Sequence, residues 1–204
     1  MGLQSLQYCA FLVVVAAVYL HLPVRMQPVF LLGASWVFYA LAMPAMLPVT
    51  IALAVFTYLC GRGLAWRGGA HKTAFLRLGV IGMLGILAFF KYNGLLGGVL
   101  HGWRAVAMPL GISFYTFQAL SYTIDVYQHK IKPTHDIVAF FAFISFFPQL
   151  VAGPIERATN LLPQFLVPRG FSYDKAVDGM RQILWGLFKK MVVADNCAAA
   201  VNLI

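Results

Sequence analysis

The chain has 204 residues, of which 61% are hydrophobic and 10% charged, with a formal net charge of +9. Soluble domains carry about 25% charged residues, so the composition excludes an ordinary soluble class. It also argues against nucleic acid as a partner: the Lys and Arg residues form no patch on a soluble fold but sit in short connections between apolar runs, where cytoplasmic loops meet lipid headgroups.

A membrane-crossing helix needs about 20 mostly apolar residues. The first apolar run covers residues 6–22. No Lys or Arg precedes it, so it lacks the basic region of a cleavable signal peptide and is expected to stay as a membrane helix. The next runs cover 29–43, bounded by Pro28 and Pro44, and 45–60. A basic loop is expected over 61–72, with Arg62, Arg67, His71 and Lys72. The run at 76–92 follows, then a break or tight-packing turn over 93–98. Gly94 and Gly98 have small-xxx-small spacing, and Gly79, Gly82 and Gly85 likewise suggest close helix packing. Residues 109–127 are apolar but decorated with Ser113, Tyr115, Thr116, Gln118, Ser121, Tyr122 and Asp125.

The following membrane segment is 137–151. The stretch 153–169 holds Pro154, Pro163 and Pro168, so it cannot be one straight helix and is expected to lie at the interface or re-enter. Ser172 is placed as a helix N-cap, with Asp174 and Asp178 in the first turns. Val177, Met180, Leu184, Leu187 and Met191 then repeat on one face, opposite Asp174, Asp178, Arg181 and Lys189. That pattern is an amphipathic helix, either at the membrane surface or packed at the protein edge. The total is an all-α, multi-pass transmembrane protein of six or seven membrane segments plus this interfacial helix. Its Lys/Arg bias puts the connections near Arg25, at 61–72 and at 128–136 in the cytoplasm and the N-terminus outside. Residues 1–204 read as one membrane domain with no repeat.

Cys9, Cys60 and Cys197 are far apart, show no metal or disulfide spacing, and read as small buried hydrophobes. Six side chains are candidates for a substrate path. Asp125 is the only acid before Lys132 and is either a buried carboxylate orienting a substrate or partner helix, or an acid at a helix end. Gln118 lies one turn from Ser121 and Tyr122, where such groups hydrogen-bond between membrane helices. Gln149, Glu156 and Arg157 flank Pro148 and Pro154. Polar groups near hydrocarbon are costly, and irregular backbone at membrane depth occurs only inside protein or beside a wet cavity. Glu156 and Arg157 could instead form a local ion pair at the surface. His21, His71, His101, His129 and His135 all fall in or beside predicted loops and are not expected to act as bases. There is no metal motif, nucleophile elbow, Walker loop or redox CxxC.

Three segments carry a family resemblance. Pro109-Leu110-Gly111-Ile112-Ser113-Phe114-Tyr115-Thr116-Phe117-Gln118, continuing through Ser121-Tyr122 to Asp125-Val126-Tyr127, resembles the first signature of the membrane-bound O-acyltransferases. Ser145-Phe146-Phe147-Pro148-Gln149-Leu150-Val151-Ala152-Gly153-Pro154-Ile155 is similar to the second. Trp185-Gly186-Leu187-Phe188-Lys189-Lys190 with Ala194-Asp195-Asn196 resembles the third. The nearest branch is the bacterial alginate O-acetylase type, with the D-alanyl transfer protein of teichoic acid modification as a sister.

The resemblance implies an enzyme of the bacterial inner membrane. Such an enzyme passes an acyl group from a cytoplasmic thioester, acetyl-CoA or another, to hydroxyls of an exported polysaccharide such as alginate. It binds no cofactor and works through periplasmic or extracellular partner proteins. The family relies on a histidine in a later helix. The resemblance places that residue beyond Ile204 and makes this chain the N-terminal part of the domain, without the catalytic part and inactive alone. Two other classes stay open. One is a transporter or channel subunit, which Gly-rich and Pro-broken helices would suit, although no inverted repeat is visible. The other is a non-catalytic truncated remnant.

Overall fold

In the computed structural model, residues 6–66, 70–99, 106–153, 155–167 and 170–201 are described, and among them there is no strand. Helix α1 spans Leu6–His21 and α2 spans Gln27–Ala42, joined by a tight turn at Val24–Met26. Pro28 sits in the first turn of α2, where its missing N–H has no helical partner to lose. A second tight turn, Pro44–Met46, leads into α3, Leu47–Trp66, and α4 runs over Ala70–Val99. Then come α5 (Ile112–Tyr127), α6 (Ile137–Ile144), α7 (Phe147–Ala152) and α8 (Ala158–Leu166). The last helix starts as α9, Tyr173–Phe188, loosens into a π-helical segment at Lys189–Ala194, and continues as α10, Asp195–Val201.

Val24–Ala42, Pro44–Ala65 and His71–Gly94 are each long and apolar enough to cross a membrane. The stretches Leu6–His21 and Ile137–Leu150 are apolar but shorter. Sixteen residues of α1 reach about 24 Å at the helical rise, less than a hydrocarbon core of about 30 Å. The segment expected over 137–151 breaks at Ser145, because Pro148 in the first turn of α7 cannot continue the preceding helix.

The expected basic loop at 61–72 is instead wound into helix on both sides, as far as Trp66 and from Ala70. Gly61 and Gly63 are tolerated there because neighbours occupy the room of their missing side chains. A Cβ on Gly61 would come within 2.6 Å of the Tyr122 ring, and one on Gly63 within 2.7 Å of the Phe75 ring. The expected break at 93–98 is also helical, within α4. Its Gly94 faces open space, as does Gly85, so neither packs closely. Gly82 does, with Phe56 filling its place, and Gly79 lies against Cys60 and Thr123. Of the three cysteines only Cys60 is buried; Cys9 and Cys197 lie on outward faces. His101, Arg67, Pro154 and Pro168 lie outside the described residues.

Helix α5 packs between α3 and α4, while α6 packs on α2 and α8. Tyr115, Tyr122, Ile112, Phe140, Phe143 and Met83 are wholly buried in the shared core. Polar side chains also face inward. The Thr57 hydroxyl donates to Leu53 O (2.7 Å) and Thr123 to Ala119 O (3.0 Å), each within its own helix. The outside carries Val13, Val14, Val37, Leu41, Leu78 and Ile81 exposed. Apolar outside and hydrogen-bonded polar inside is the pattern a lipid solvent favours.

Ser35 ties two elements together: its hydroxyl donates to Leu31 O (2.7 Å) and accepts from the Phe147 N–H (3.3 Å) at the start of α7. Removing the acceptor leaves a buried N–H unpaired. Ser35→Ala is therefore expected to lower stability by about 1 kcal/mol, read as an earlier thermal unfolding midpoint in detergent.

Candidate functional site

The first two motif segments clasp each other. Gly111 begins the turn into α5 with a left-handed backbone, φ 71°, and a Cβ there would lie 2.6 Å from the Leu150 carbonyl oxygen in α7. Only glycine lets the two backbones approach so closely. Further along α5, the Gln118 amide donates to Phe143 O (2.8 Å) at the end of α6, inside the core. Phe147 then anchors the second segment against the other side of the bundle. Its ring meets Phe11 at 5.1 Å and Phe38 at 5.6 Å between centroids, in edge or tilted geometry that aromatic pairs favour.

The six sequence candidates divide into groups. Gln118, Tyr122 and Asp125 lie on α5 and are buried. Gln118 links α5 to α6. The Tyr122 ring packs at 4.8 Å from Phe140, and its hydroxyl accepts from the Thr134 N–H (3.3 Å). Asp125 is only 5% exposed, and its Oδ2 is buried with no hydrogen-bond donor among the described residues. Asp125 is thus a buried carboxylate that also lies in the last turn of α5, close to the helix end. Its backbone carbonyl accepts from the Lys130 N–H (2.9 Å), which closes the turn after α5.

Gln149 and Glu156 form the second group. They border a cleft of about 200 Å³ with Phe146, Pro148, Gly153 and Leu161. Gln149 is buried and Glu156 half-buried. Arg157 is exposed and is not part of this cleft. Glu156 and Arg157 do not pair through their side chains. The Glu156 carboxylate accepts from the Arg157 backbone N–H (3.2 Å) and from the Asn160 amide (3.5 Å). One ion pair, Lys190 with Asp195, occurs among the described residues. No cluster of metal-ligating side chains occurs among them either.

The described histidines stay out of the core. His21, His71, His129 and His135 are all exposed. His71 is in the first turn of α4 rather than a loop, and His21 ends α1.

The third motif stands apart. Helix α9, the π segment and α10 pack end to end and, among the described residues, make no sizeable contact with α1 to α8. Leu184, Trp185 and Phe188 are exposed, and Trp185 stacks on Phe188 at 5.4 Å. The helix expected over this stretch is thus present, with its apolar residues exposed. Ser172 occupies the N-cap position with extended backbone, but its hydroxyl makes no capping bond; its carbonyl accepts from Ala176 instead.

Sequence reasoning singled out neither Gly61 nor Ser35 and gave no conformational role to Gly111. A glycine following Pro-Leu and opening a helix is a legible turn signal. The contacts of Gly61 and Ser35 depend on residues 61 and 112 positions away, and nothing local announces them.

The chain is similar to proteins named probable alginate O-acetylase AlgI. The one from Azotobacter vinelandii is 34% identical over 201 residues, covering 92% of this chain and 40% of that protein. The one from Pseudomonas aeruginosa is 35% identical over 191 residues, covering 87% of this chain and 36% of that protein. A peptidoglycan O-acetyltransferase of Helicobacter pylori is 31% identical over 199 residues, covering 81% of this chain and 38% of that protein. The chain therefore spans about two fifths of the length of the curated relatives it matches. No family model matches it, and no solved structure does. These relatives bear out the family resemblance that the three motifs carry.

Proposed function

We propose that this chain, related over most of its length to the membrane-bound O-acyltransferases, forms part of an O-acetyltransferase of the bacterial cytoplasmic membrane. The donor is a thioester reached from the cytoplasm, acetyl-CoA or another acyl thioester. The acceptor is a hydroxyl on an exported or cell-envelope polysaccharide such as alginate, reached with periplasmic or extracellular partner proteins. The N-terminus faces outward. The observation that supports this reading most strongly is that relatives named for O-acetyl transfer match most of the chain.

In the reaction, the acceptor oxygen bonds to the thioester carbonyl carbon and the C–S bond breaks. The hydroxyl proton passes to a base and leaves with the thiol. A thioester is already activated, so the protein supplies that base and holds the two substrates together. The exposed histidines do not suit the first task. His129 and His135 already face Lys72 and Arg62 through their ring nitrogens. We therefore assign these residues no catalytic role and read the chain's contribution as scaffold and substrate path, with the Gln149–Glu156 cleft as part of the wall.

The test is transfer of labelled acetyl from a thioester to polysaccharide in membranes of cells that make the protein. Ester-bound label is expected. Glu156→Gln is expected to cut transfer by roughly tenfold or more, as loss of a positioned charged contact does, and Arg157→Ala by less than twofold. Equal effects of both, or no ester-bound label, would count against the reading.

A further inference from the structure

We propose that one end of the bundle, where α3 meets α4 beside the loop at 128–136, is a binding face for phosphate groups. Arg62 Nη1 lies 2.8 Å from His135 Nδ1 and 3.0 Å from its Nε2, and Lys72 Nζ lies 2.7 Å from His129 Nε2. Each cation thus lies against an imidazole ring rather than a carboxylate. Lys130 and Lys132 add two more exposed cations on the same loop.

No carboxylate forms an ion pair with any of these four among the described residues. The nearby acids are otherwise placed. Asp136 caps α6 by accepting from the Ala139 N–H (2.9 Å), and Asp125 is buried. A cleft of about 500 Å³, bordered by Lys130, Lys132, Thr134 and His135 on one side and by Ala158, Leu162 and Leu166 of α8 on the other, opens beside the two loop lysines. His129 is the one non-glycine residue with positive φ (59°) among the described residues, a backbone state that side chains avoid. That backbone accompanies its contact with Lys72.

Four cations without an ion-pair partner at the ends of membrane helices, two of them bordering an open cleft, suit an anion. Phosphate oxygens match it: a guanidinium binds them in a fork, and lysine as a point charge. The phosphate could be the headgroup of an anionic lipid or a soluble phosphate ester. The inference does not depend on acyl transfer, because it is read by binding alone.

The test is native mass spectrometry of the chain in detergent micelles, offered phosphatidylglycerol and phosphatidylcholine together, then glycerol phosphate as competitor. Phosphatidylglycerol should be retained over phosphatidylcholine. Each cation removed should weaken retention about fivefold, so Lys130→Gln with Lys132→Gln, on an exposed loop, should reduce it by more than tenfold. Arg62→Gln should reduce it and Arg62→Lys restore part of it, while Lys175→Gln on α9 should change nothing. Displacement by glycerol phosphate at matching concentration supports the face with a soluble ester as its ligand. Resistance to displacement supports it with the lipid. Equal retention of the two lipids with no binding of glycerol phosphate would overturn the proposal. So would retention untouched by the double lysine substitution in a protein that keeps its helical circular dichroism.

Discussion

Gly111→Ala is expected to destabilise the protein by roughly 2–5 kcal/mol, a large share of the total for a folded domain. Two effects add. A side chain at φ 71° costs about 1–2 kcal/mol. The new Cβ would also lie 2.6 Å from the Leu150 carbonyl oxygen, a backbone atom that cannot rotate away, and forcing apart a packed contact costs about 1–3 kcal/mol. The displaced element is the short helix α7, so the strain reaches the Phe147 anchor and the Ser35 hydrogen bond at its start. Gly85→Ala is the control, because nothing lies within 4 Å of its Cβ position; it should be neutral or slightly stabilising. Thermal unfolding in detergent measures both. If Gly111→Ala unfolds at the same temperature as Gly85→Ala, the clasp between the first two motifs is not a structural element.

Tyr122→Ala and Tyr122→Phe should behave very differently. The ring is wholly buried, packed on Phe140 and filling the space above Gly61. Truncation to alanine leaves a cavity and is expected to cost about 3–5 kcal/mol. Phenylalanine keeps the ring and loses only the acceptor for the Thr134 N–H, a change of about 1 kcal/mol. Acetyl transfer should follow stability: nearly retained in Tyr122→Phe, lost in Tyr122→Ala. Loss of transfer in a stable Tyr122→Phe protein would instead put the hydroxyl in contact with substrate.

Apolar runs and prolines made the helical class legible, since run length and Pro positions act locally. The start of α9 was legible for the same reason, through Asp174 and the repeat from Val177. The winding of 61–66 into α3 was not, because two glycines read as loop until Tyr122 and Phe75 are seen to fill their places. Local propensity is a weak prior that packing overrides. Irregular backbone near Pro148 was legible from the proline itself, but the exact place of the break, Ser145, was not. The π segment at Lys189–Ala194 shifts the helical repeat by one residue and leaves no compositional mark.

The candidate site was partly legible. Gln118 and Asp125 stood out as polar residues in apolar context, and both are buried. Their partners were not legible, because Gln118 reaches Phe143, 25 residues away. Glu156 and Arg157 are adjacent in sequence yet point to different surroundings, and charge alone could not separate them.

The most direct test of the central claim, that this chain belongs to the machinery that O-acetylates an envelope polysaccharide, is a measurement of alkali-labile acetate on that polysaccharide. The comparison is between cells with an intact coding sequence and cells carrying an in-frame deletion of the codons for residues 109–157, which span both clasped motifs. The account predicts that ester-bound acetate falls to background in the deletion strain while the amount of polysaccharide is unchanged. Unchanged acetylation would contradict it, and so would loss of the exported polymer itself, which would point to transport rather than acyl transfer.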